Sequence, residues 1–282
     1  MTLITSLANP HVAQIRDLHT TKGRKKSGLL LMEGPHLLDA LLLAEMLPRE
    51  IYYQPDLLQR TPEGRALLAR LLHPPVSWSE VALFEVSERV AEALSDAQTS
   101  QGVYAVVPLH LFQPARLLAR RPSTRRPALL VLDDLADPGN MGTILRTALA
   151  ADVQEVLLTP HCVDCYSPKV VRAAAGAHVA LPVWTNLAWS AIEERIAAHC
   201  GVVGGRVFSA EASGSQLYYM EDLRQPFALI IGNEAHGISS QARALANRAL
   251  SIPLANQVES LNAAMATGIF LFEAVRQLHF VV

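Results

Sequence analysis

The sequence predicts an α/β protein of two domains, and three observations carry that expectation. Apolar segments of strand length alternate with segments of helix length along almost the whole chain, the signature of layered α/β architecture. The chain has 282 residues, half of them hydrophobic, enough material for two cores. A run at 114–127 with three prolines and five arginines interrupts the alternation and has the composition of a linker. The expected organisation is a first, smaller α/β domain over 1–112, a basic linker over 113–127 and a parallel-sheet domain over 128–282.

In the first domain, strands are expected at 28–32, 51–53, 76–78 and 103–107, with helices at 35–46, 56–72 and 79–94. After the linker, strands are expected at 129–132, 155–158, 180–183, 202–207, 227–231 and 250–252. Helices are expected at 141–150, 168–175, 187–199, 239–246 and 261–278. Strands that are wholly apolar, such as Leu229-Ile230-Ile231, belong to parallel sheets covered on both faces. In the last helix Leu261, Met265, Phe272 and Val275 form a stripe that Ala264, Gly268 and Ile269 widen. So wide a face suggests burial against more than one neighbour, a second subunit among them.

Composition excludes several classes. No apolar run approaches the ~20 residues that cross a bilayer, and Asp39 and Glu45 interrupt the leucine-rich stretch between them. Met1-Thr2-Leu3-Ile4-Thr5 has neither the charged nor the apolar region of a secretory leader, so a cytoplasmic protein is expected. Three cysteines, an odd number, suit a reducing compartment better than a disulfide framework. His161, Cys162 and Cys165 resemble half a zinc site, but no second CxxC exists and only His199 and Cys200 are left to complete it. No metal is expected. The net charge of −2 hides two basic clusters, Arg16, Lys22, Arg24, Lys25 and Lys26, and Arg116, Arg120, Arg121, Arg125 and Arg126. A charge run alone is usually a solvated loop; two of them suit a polyanionic partner.

Three polar loops stand at strand-to-helix junctions, where open α/β sheets place ligands. The first is Asp137-Pro138-Gly139-Asn140, followed by Met141, where Asn140 is placed to cap the next helix. Arg146 shares a helix face with the small residues Gly142, Thr143 and Ala150, so another molecule can approach it closely. The second is Gly232-Asn233-Glu234-Ala235-His236-Gly237, with a glycine at each end of a tight turn. Glu234 suits either a polar ligand group or the start of the next helix. The third runs from Ile252 to Asn262; Ser260 is a plausible N-cap, whereas Asn262, polar beside the apolar stripe, is hard to explain by packing. No P-loop, G-x-S-x-G elbow or dinucleotide fingerprint occurs.

Taken together, Asp137-Pro138-Gly139-Asn140-Met141-Gly142-Thr143-Ile144-Leu145-Arg146, Ile231-Gly232-Asn233-Glu234-Ala235-His236-Gly237-Ile238 and Ile252-Pro253 through Ser260-Leu261-Asn262 resemble, in order and spacing, the three motifs of the SpoU/TrmH family of RNA ribose methyltransferases, members of the SPOUT class. Ser167-Pro168-Lys169-Val170-Val171-Arg172 also looks familial, and Asn9-Pro10 with Glu33-Gly34-Pro35 resembles the ribosomal-protein-like substrate-binding domain of many members. Two positions depart from the pattern: Ala235 stands where the family usually has Gly, and Ala174 where it often has Ser.

The resemblance implies a trefoil-knotted parallel-sheet domain, a rare exception to the rule against threading. It implies S-adenosyl-L-methionine as cofactor, held by Gly232, Asn233, Ile252, Leu254 and Leu261, and a catalytic set of Arg146, Asn140, Glu234, Ser260 and Asn262. It also implies a homodimer through the knotted domain and methylation of a ribose 2′-hydroxyl in structured RNA. Large-subunit rRNA is favoured over tRNA by the separate N-terminal domain, and Arg172, Lys22, Arg24, Lys25 and Lys26 are assigned to RNA phosphates. The alternatives are a tRNA ribose methyltransferase and a non-catalytic RNA-binding or ribosome-assembly module. A guanidinium does not give up its proton near neutral pH. Arg146 is therefore expected to grip a phosphate or the developing alkoxide, leaving the proton to water or Glu234.

Overall fold

The structure, a computed structural model, describes residues 2–121, 127–201 and 206–279. It divides into two units: Met1–Gln113 with Tyr166–Val179, and Pro114–Cys165 with Ala180–Val282. The inclusion of Tyr166–Val179 in the first unit has no signal in the sequence pattern.

The first unit is built on a five-stranded mixed sheet of order β1-β4-β3-β5-β2, with β1 (Thr2–Ile4), β2 (Leu29–Glu33), β3 (Glu50–Tyr53), β4 (Ala82–Val86) and β5 (Val103–Pro108). β4 runs parallel to β1 and β3, while β5 runs antiparallel to β3 and β2. Its helices are α1 (Pro10–Asp17), α2 (Thr21–Ser27), α3 (Pro35–Leu43), α4 (Pro55–Leu58), α5 (Pro62–Leu72) and α6 (Glu88–Leu94). Val12 and Ile15 of α1, Leu18 at its end, and Val90, Ala91 and Leu94 of α6 pack with Tyr52 and Tyr104 into one core. Each aliphatic side chain buried there contributes about 1.5–3 kcal/mol.

Local chemistry sets boundaries that periodicity misplaced. The helix expected at 56–72 is two, because Thr61 caps α5 by accepting the Gly64 N–H, and Pro62 follows as its first residue. The strand expected at 76–78 is a short 3-10 turn. The helix expected at 79–94 starts only at Glu88, where the Ser87 hydroxyl accepts the Val90 N–H. The residues before it form β4, whose Phe84 stands opposite Tyr52 of β3. Gly28 ends α2 in the left-handed region, φ 68°, so the following strand begins at Leu29.

The second unit carries a seven-stranded, wholly parallel sheet of order β10-β12-β9-β11-β6-β7-β8. Its strands are β6 (Ala128–Leu132), β7 (Val156–Leu158), β8 (Val183–Trp184), β9 (Arg206–Ala210), β10 (Gln216–Leu217), β11 (Phe227–Ile231) and β12 (Arg248–Ser251). The helices of the two units continue in chain order as α7 (Pro114–Arg120), α8 (Pro138–Ala150), α9 (Pro168–Ala173, in the first unit), α10 (Trp189–Cys200), α11 (Ser240–Leu245) and α12 (Ala263–His279). The central strands β6 and β11 are buried along their whole length, as expected for a sheet covered on both faces. Part of the strand expected at 202–207, namely 202–205, lies outside the described residues, as do Arg125 and Arg126.

Two expectations fail here for physical reasons. The run read as a linker contains α7, and Arg121 beyond it donates to the Val153 and Gln154 carbonyls and pairs with Asp152 at 2.7 Å. That arginine holds the fold. In α12 the buried face is Ala264, Thr267, Phe270, Leu271 and Ala274, and the helix packs on α8. Of the expected stripe, Met265 and Phe272 face outward at 63 and 47 % exposure, Val275 is half-buried, and Leu261, at 37 %, precedes the helix. Both faces of this helix are apolar, so the 3.6 period alone could not choose between them. Among the described residues no helix is long and apolar enough to cross a membrane.

Candidate active site

Because every strand pairing in the second sheet is parallel, the loops after β6, β9, β11 and β12 leave at the same edge. The polar loops at 133–140, 232–239 and 252–262 all lie there, as the switch-point rule requires.

Capping decides how their side chains are deployed. Asp137, rather than Asn140, caps α8: its carboxylate accepts the Asn140 N–H at 2.7 Å, with Pro138 as the first helical residue. The Asn140 amide is thereby released to cross between loops. Its Nδ2 donates to Glu234 Oε1 at 2.9 Å, and its Oδ1 accepts from Asn262 Nδ2 at 2.8 Å. Asn262, rather than Ser260, starts α12, with Oδ1 accepting the Ala264 and Met265 N–H groups at 2.9 and 3.2 Å. Glu234 also accepts the Ala136 and Asp137 N–H groups, both at 3.2 Å. One chain of hydrogen bonds thus ties all three loops together.

That chain defines what Glu234 can do. Burial acts to raise its carboxyl, but the Asn140 amide and the Ala136 and Asp137 N–H groups outweigh it and hold the group below the ordinary carboxylate range. A carboxylate so engaged makes a strong anchor and a poor proton acceptor.

The middle loop is folded by its own backbone and by Asn233. Asn233 and Gly237 exchange both backbone hydrogen bonds at 2.9 Å. The Asn233 side chain accepts from Ala235 and His236 and donates to the Asp134 carbonyl. A Cβ on Gly232 would lie 2.4 Å from the Gly237 carbonyl, so glycine is required there by close approach. Sequence reasoning missed the support beneath. Buried Asp133 accepts the Ser239 N–H at 2.7 Å, and Thr159 donates to Asp134 at 2.9 Å. Burial pushes the Asp133 carboxyl above its ordinary value despite the bonds from Ser239. The available signal was two acids placed directly after a wholly apolar strand.

The loops surround an open cleft of about 1350 Å³, lined in part by Asn140, Gly232, Asn233, Glu234, Ile252, Leu254, Ser260, Leu261 and Asn262. All five residues expected to hold a cofactor are therefore on its walls, with four of the five expected catalytic residues. Arg146 is not a lining residue. It lies on the exposed side of α8 with Thr143 and Ala150, Gly142 being buried, and its side chain bonds to no described residue. Ser260 is likewise exposed and without a hydrogen bond to a described residue.

The expected RNA contacts lie in the first unit and divide. Lys22, Lys25 and Lys26 are exposed on α2. Arg24 is buried and donates to the Leu18 carbonyl at 2.8 Å and to Thr21 at 3.1 Å, so it braces the α1–α2 corner and is not presented to a phosphate. Arg172 pairs with Asp96 at 3.1 Å. Among the described residues no group of three His, Cys, Asp or Glu side chains is placed to hold a metal ion, and the Cys162 thiol donates to the Leu132 carbonyl.

Comparison with known proteins gives concordant matches. Residues 127–272 match the SpoU rRNA Methylase family, and residues 9–105 match the MRM3-like substrate binding domain. An uncharacterized tRNA/rRNA methyltransferase of Synechocystis is 35% identical over 97% of this chain and 93% of its own length. The 23S rRNA (guanosine(2553)-2′-O)-methyltransferase RlmP of Bacillus subtilis is 29% identical over 96% of this chain and 98% of its own. The SpoU methyltransferase AviRb of Streptomyces viridochromogenes, solved with AdoMet, superposes with a TM-score of 0.80 at 27% identity, covering 95% of this chain and 98% of its own.

Proposed function

The chain belongs to the SpoU rRNA methylase family and is an S-adenosylmethionine-dependent rRNA ribose 2′-O-methyltransferase, and from that premise we propose how its own residues divide the work. The cleft suits this cofactor. Its volume of about 1350 Å³ exceeds the usual ~300–1,000 Å³ of small-molecule pockets, leaving room for cofactor and an incoming nucleotide. Ile252, Leu254 and Leu261 offer apolar surface for a purine, and Gly232 and Asn233 offer backbone at the closed turn. When bound, S-adenosylmethionine supplies a methyl group made electrophilic by its sulfonium.

Asn140, Glu234 and Asn262 fix the three loops in one geometry, so the cofactor meets a cleft whose ordering cost is already met. Arg146 and Ser260 keep their donors for the RNA. Arg146 grips the target phosphate or the alkoxide that develops at the ribose 2′-oxygen, Ser260 orients the hydroxyl, and the proton leaves to water. The first unit takes the RNA-binding role, with the exposed Lys22, Lys25 and Lys26 on phosphates and Arg172 joining them when RNA displaces Asp96. In domain terms, the unit of 1–113 with 166–179 recognises RNA, and the unit of 114–165 with 180–282 catalyses. The outward Met265 and Phe272 of α12 mark the homodimer face, since large apolar side chains exposed on one helical face suit an interface. A cytoplasmic location completes this reading.

The observation that carries this reading is the Asn140–Glu234–Asn262 chain joining three loops at one cleft. Labelled S-adenosylmethionine offered with unmodified rRNA and with unmodified tRNA tests it. Transfer to one 2′-oxygen of large-subunit rRNA is expected; the guanosine methylated by the Bacillus relative is the first position to map. Transfer to tRNA alone would overturn the substrate, and cofactor binding without transfer to either RNA would favour an assembly module. Sedimentation should show a dimer that Met265→Asp converts to monomer.

A further inference from the structure

β9 carries a second, rigid wall of the cleft. After Ala210 the chain turns under tight control: the Glu211 N–H donates to the Leu250 carbonyl at 3.0 Å, and the Glu211 carbonyl accepts the Gly214 N–H at 3.1 Å. Gly214 lies so close to β12 that a Cβ there would sit 2.7 Å from the Leu250 backbone. The Glu211 side chain, 14 % exposed, is fixed as well. One oxygen accepts the hydroxyl of buried Ser209 at 2.7 Å, and the other accepts Arg243 at 2.7 Å. As a stabilising ion pair this arrangement contributes little, because Arg243 is 63 % exposed. Its consequence is placement: a carboxylate lining the cleft with both oxygens immobilised.

A carboxylate has about four acceptor sites, and two of them are occupied by Ser209 and Arg243. The remaining sites are available to a ligand in the cleft. Arg243 already balances the charge, so neutral donors are preferred over a second cation. Two neighbouring hydroxyls match a fixed pair of acceptors. Position agrees: β9 is separated from β6 by β11 alone, so at about 4.8 Å per strand its end lies roughly 10 Å from the strand that leads to Asn140. Asn140 and Glu211 both line the cleft, and their side chains take up part of that span, leaving between them the few bonds that separate the transferred methyl from the ribose hydroxyls.

We propose that Glu211 reads the ribose diol of the bound cofactor and so determines specificity for its nucleoside. This rests on the cofactor reading given above. The test is calorimetric and needs no turnover: S-adenosylhomocysteine and its 2′-deoxy and 3′-deoxy forms are titrated into the full-length wild type, Glu211→Gln and Glu211→Ala. The wild type should lose about tenfold to hundredfold in affinity on removal of a hydroxyl. Glu211→Ala should bind the parent compound weaker by a similar factor and no longer distinguish it from the deoxy forms. Ser209→Ala, which frees the carboxylate without removing it, should retain part of the discrimination. Equal hydroxyl dependence in wild type and Glu211→Ala, or unchanged affinity of Glu211→Ala for the parent, would overturn the proposal. Coupling of Glu211 to the amino group, seen with a deaminated analogue, would overturn the diol as its ligand. Absence of binding by the wild type would instead overturn the cofactor reading itself.

Discussion

Two sets of polar residues drawn from the same three motifs differ in how they are used. Asn140, Asn233, Glu234 and Asn262 have their side chains engaged by one another, by helix starts or by loop backbone. The side chains of Arg146 and Ser260, a few residues away along the chain, bond to no described residue. The first set makes one shape of three loops; the second holds donors ready for the RNA. Motif membership alone gives all six the same standing, and geometry separates them into framework and working groups.

That separation can be broken or sharpened by substitution. The largest effect belongs to the working set. Arg146→Ala should lower single-turnover methyl transfer about 10²–10³-fold, the usual loss of one preorganised donor at a developing oxyanion, with unchanged circular dichroism and cofactor affinity. Arg146→Lys should recover little, because a point charge cannot reproduce the fork. Near wild-type turnover by the lysine variant would remove the fork from the mechanism.

Next comes the framework. Gly232→Ala forces a methyl against the Gly237 backbone 2.4 Å away, and a cost of about 1–3 kcal/mol is expected. It should lower both the thermal midpoint and cofactor affinity; a variant with native melting would show that the turn can open without loss.

The basic cluster of the first unit allows a smaller, parallel comparison. Replacing Lys22, Lys25 and Lys26 by Glu should weaken RNA binding and flatten its salt dependence, by about 0.7–0.9 in the logarithmic slope for each phosphate that is no longer neutralised. Arg24→Ala should leave that slope alone and lower stability, since its guanidinium braces the Leu18 carbonyl inside the fold. Binding curves at several salt concentrations, read beside melting curves, separate the two.

The smallest effect is on pH. The Glu234 carboxyl is held below its ordinary range, so its contribution to stability is complete above that range, about pH 4.3, and is lost as pH falls through the depressed value. The stability difference between wild type and Glu234→Gln should stay constant from neutral pH to about 5 and shrink in stronger acid. The pH–rate profiles of the two should keep the same shape. An added limb in the wild type alone would make Glu234 a base after all.

Much of this was legible in the sequence, and the exceptions share a cause. The junction loops and the central strands of the parallel sheet are short-range features, written in apolar runs and in glycine and asparagine positions. The cap assignments were also written locally, in Pro138 directly after Asp137, but Asn140 and Ser260 competed for the reading. What was not legible depends on neighbours distant in sequence. Arg24 is one arginine in a basic run until Leu18 closes over it. The residues of β4 look helical until β3 pairs with them. The burial of Ala264, Thr267 and Phe270, with Met265 left outside, is decided by packing against α8. Glu211 carries no motif at all, and only Ser209 and Arg243 make it a fixed acceptor.

The division between framework and working residues is tested most directly by measuring two quantities on two variants: cofactor dissociation constant and single-turnover rate at saturating cofactor, for Asn262→Ala and Arg146→Ala. Asn262→Ala should weaken cofactor binding and melt earlier while its rate at saturation falls little. Arg146→Ala should bind cofactor as the wild type does and lose almost all of its rate. The reverse pattern, or equal loss of rate in both, would contradict it.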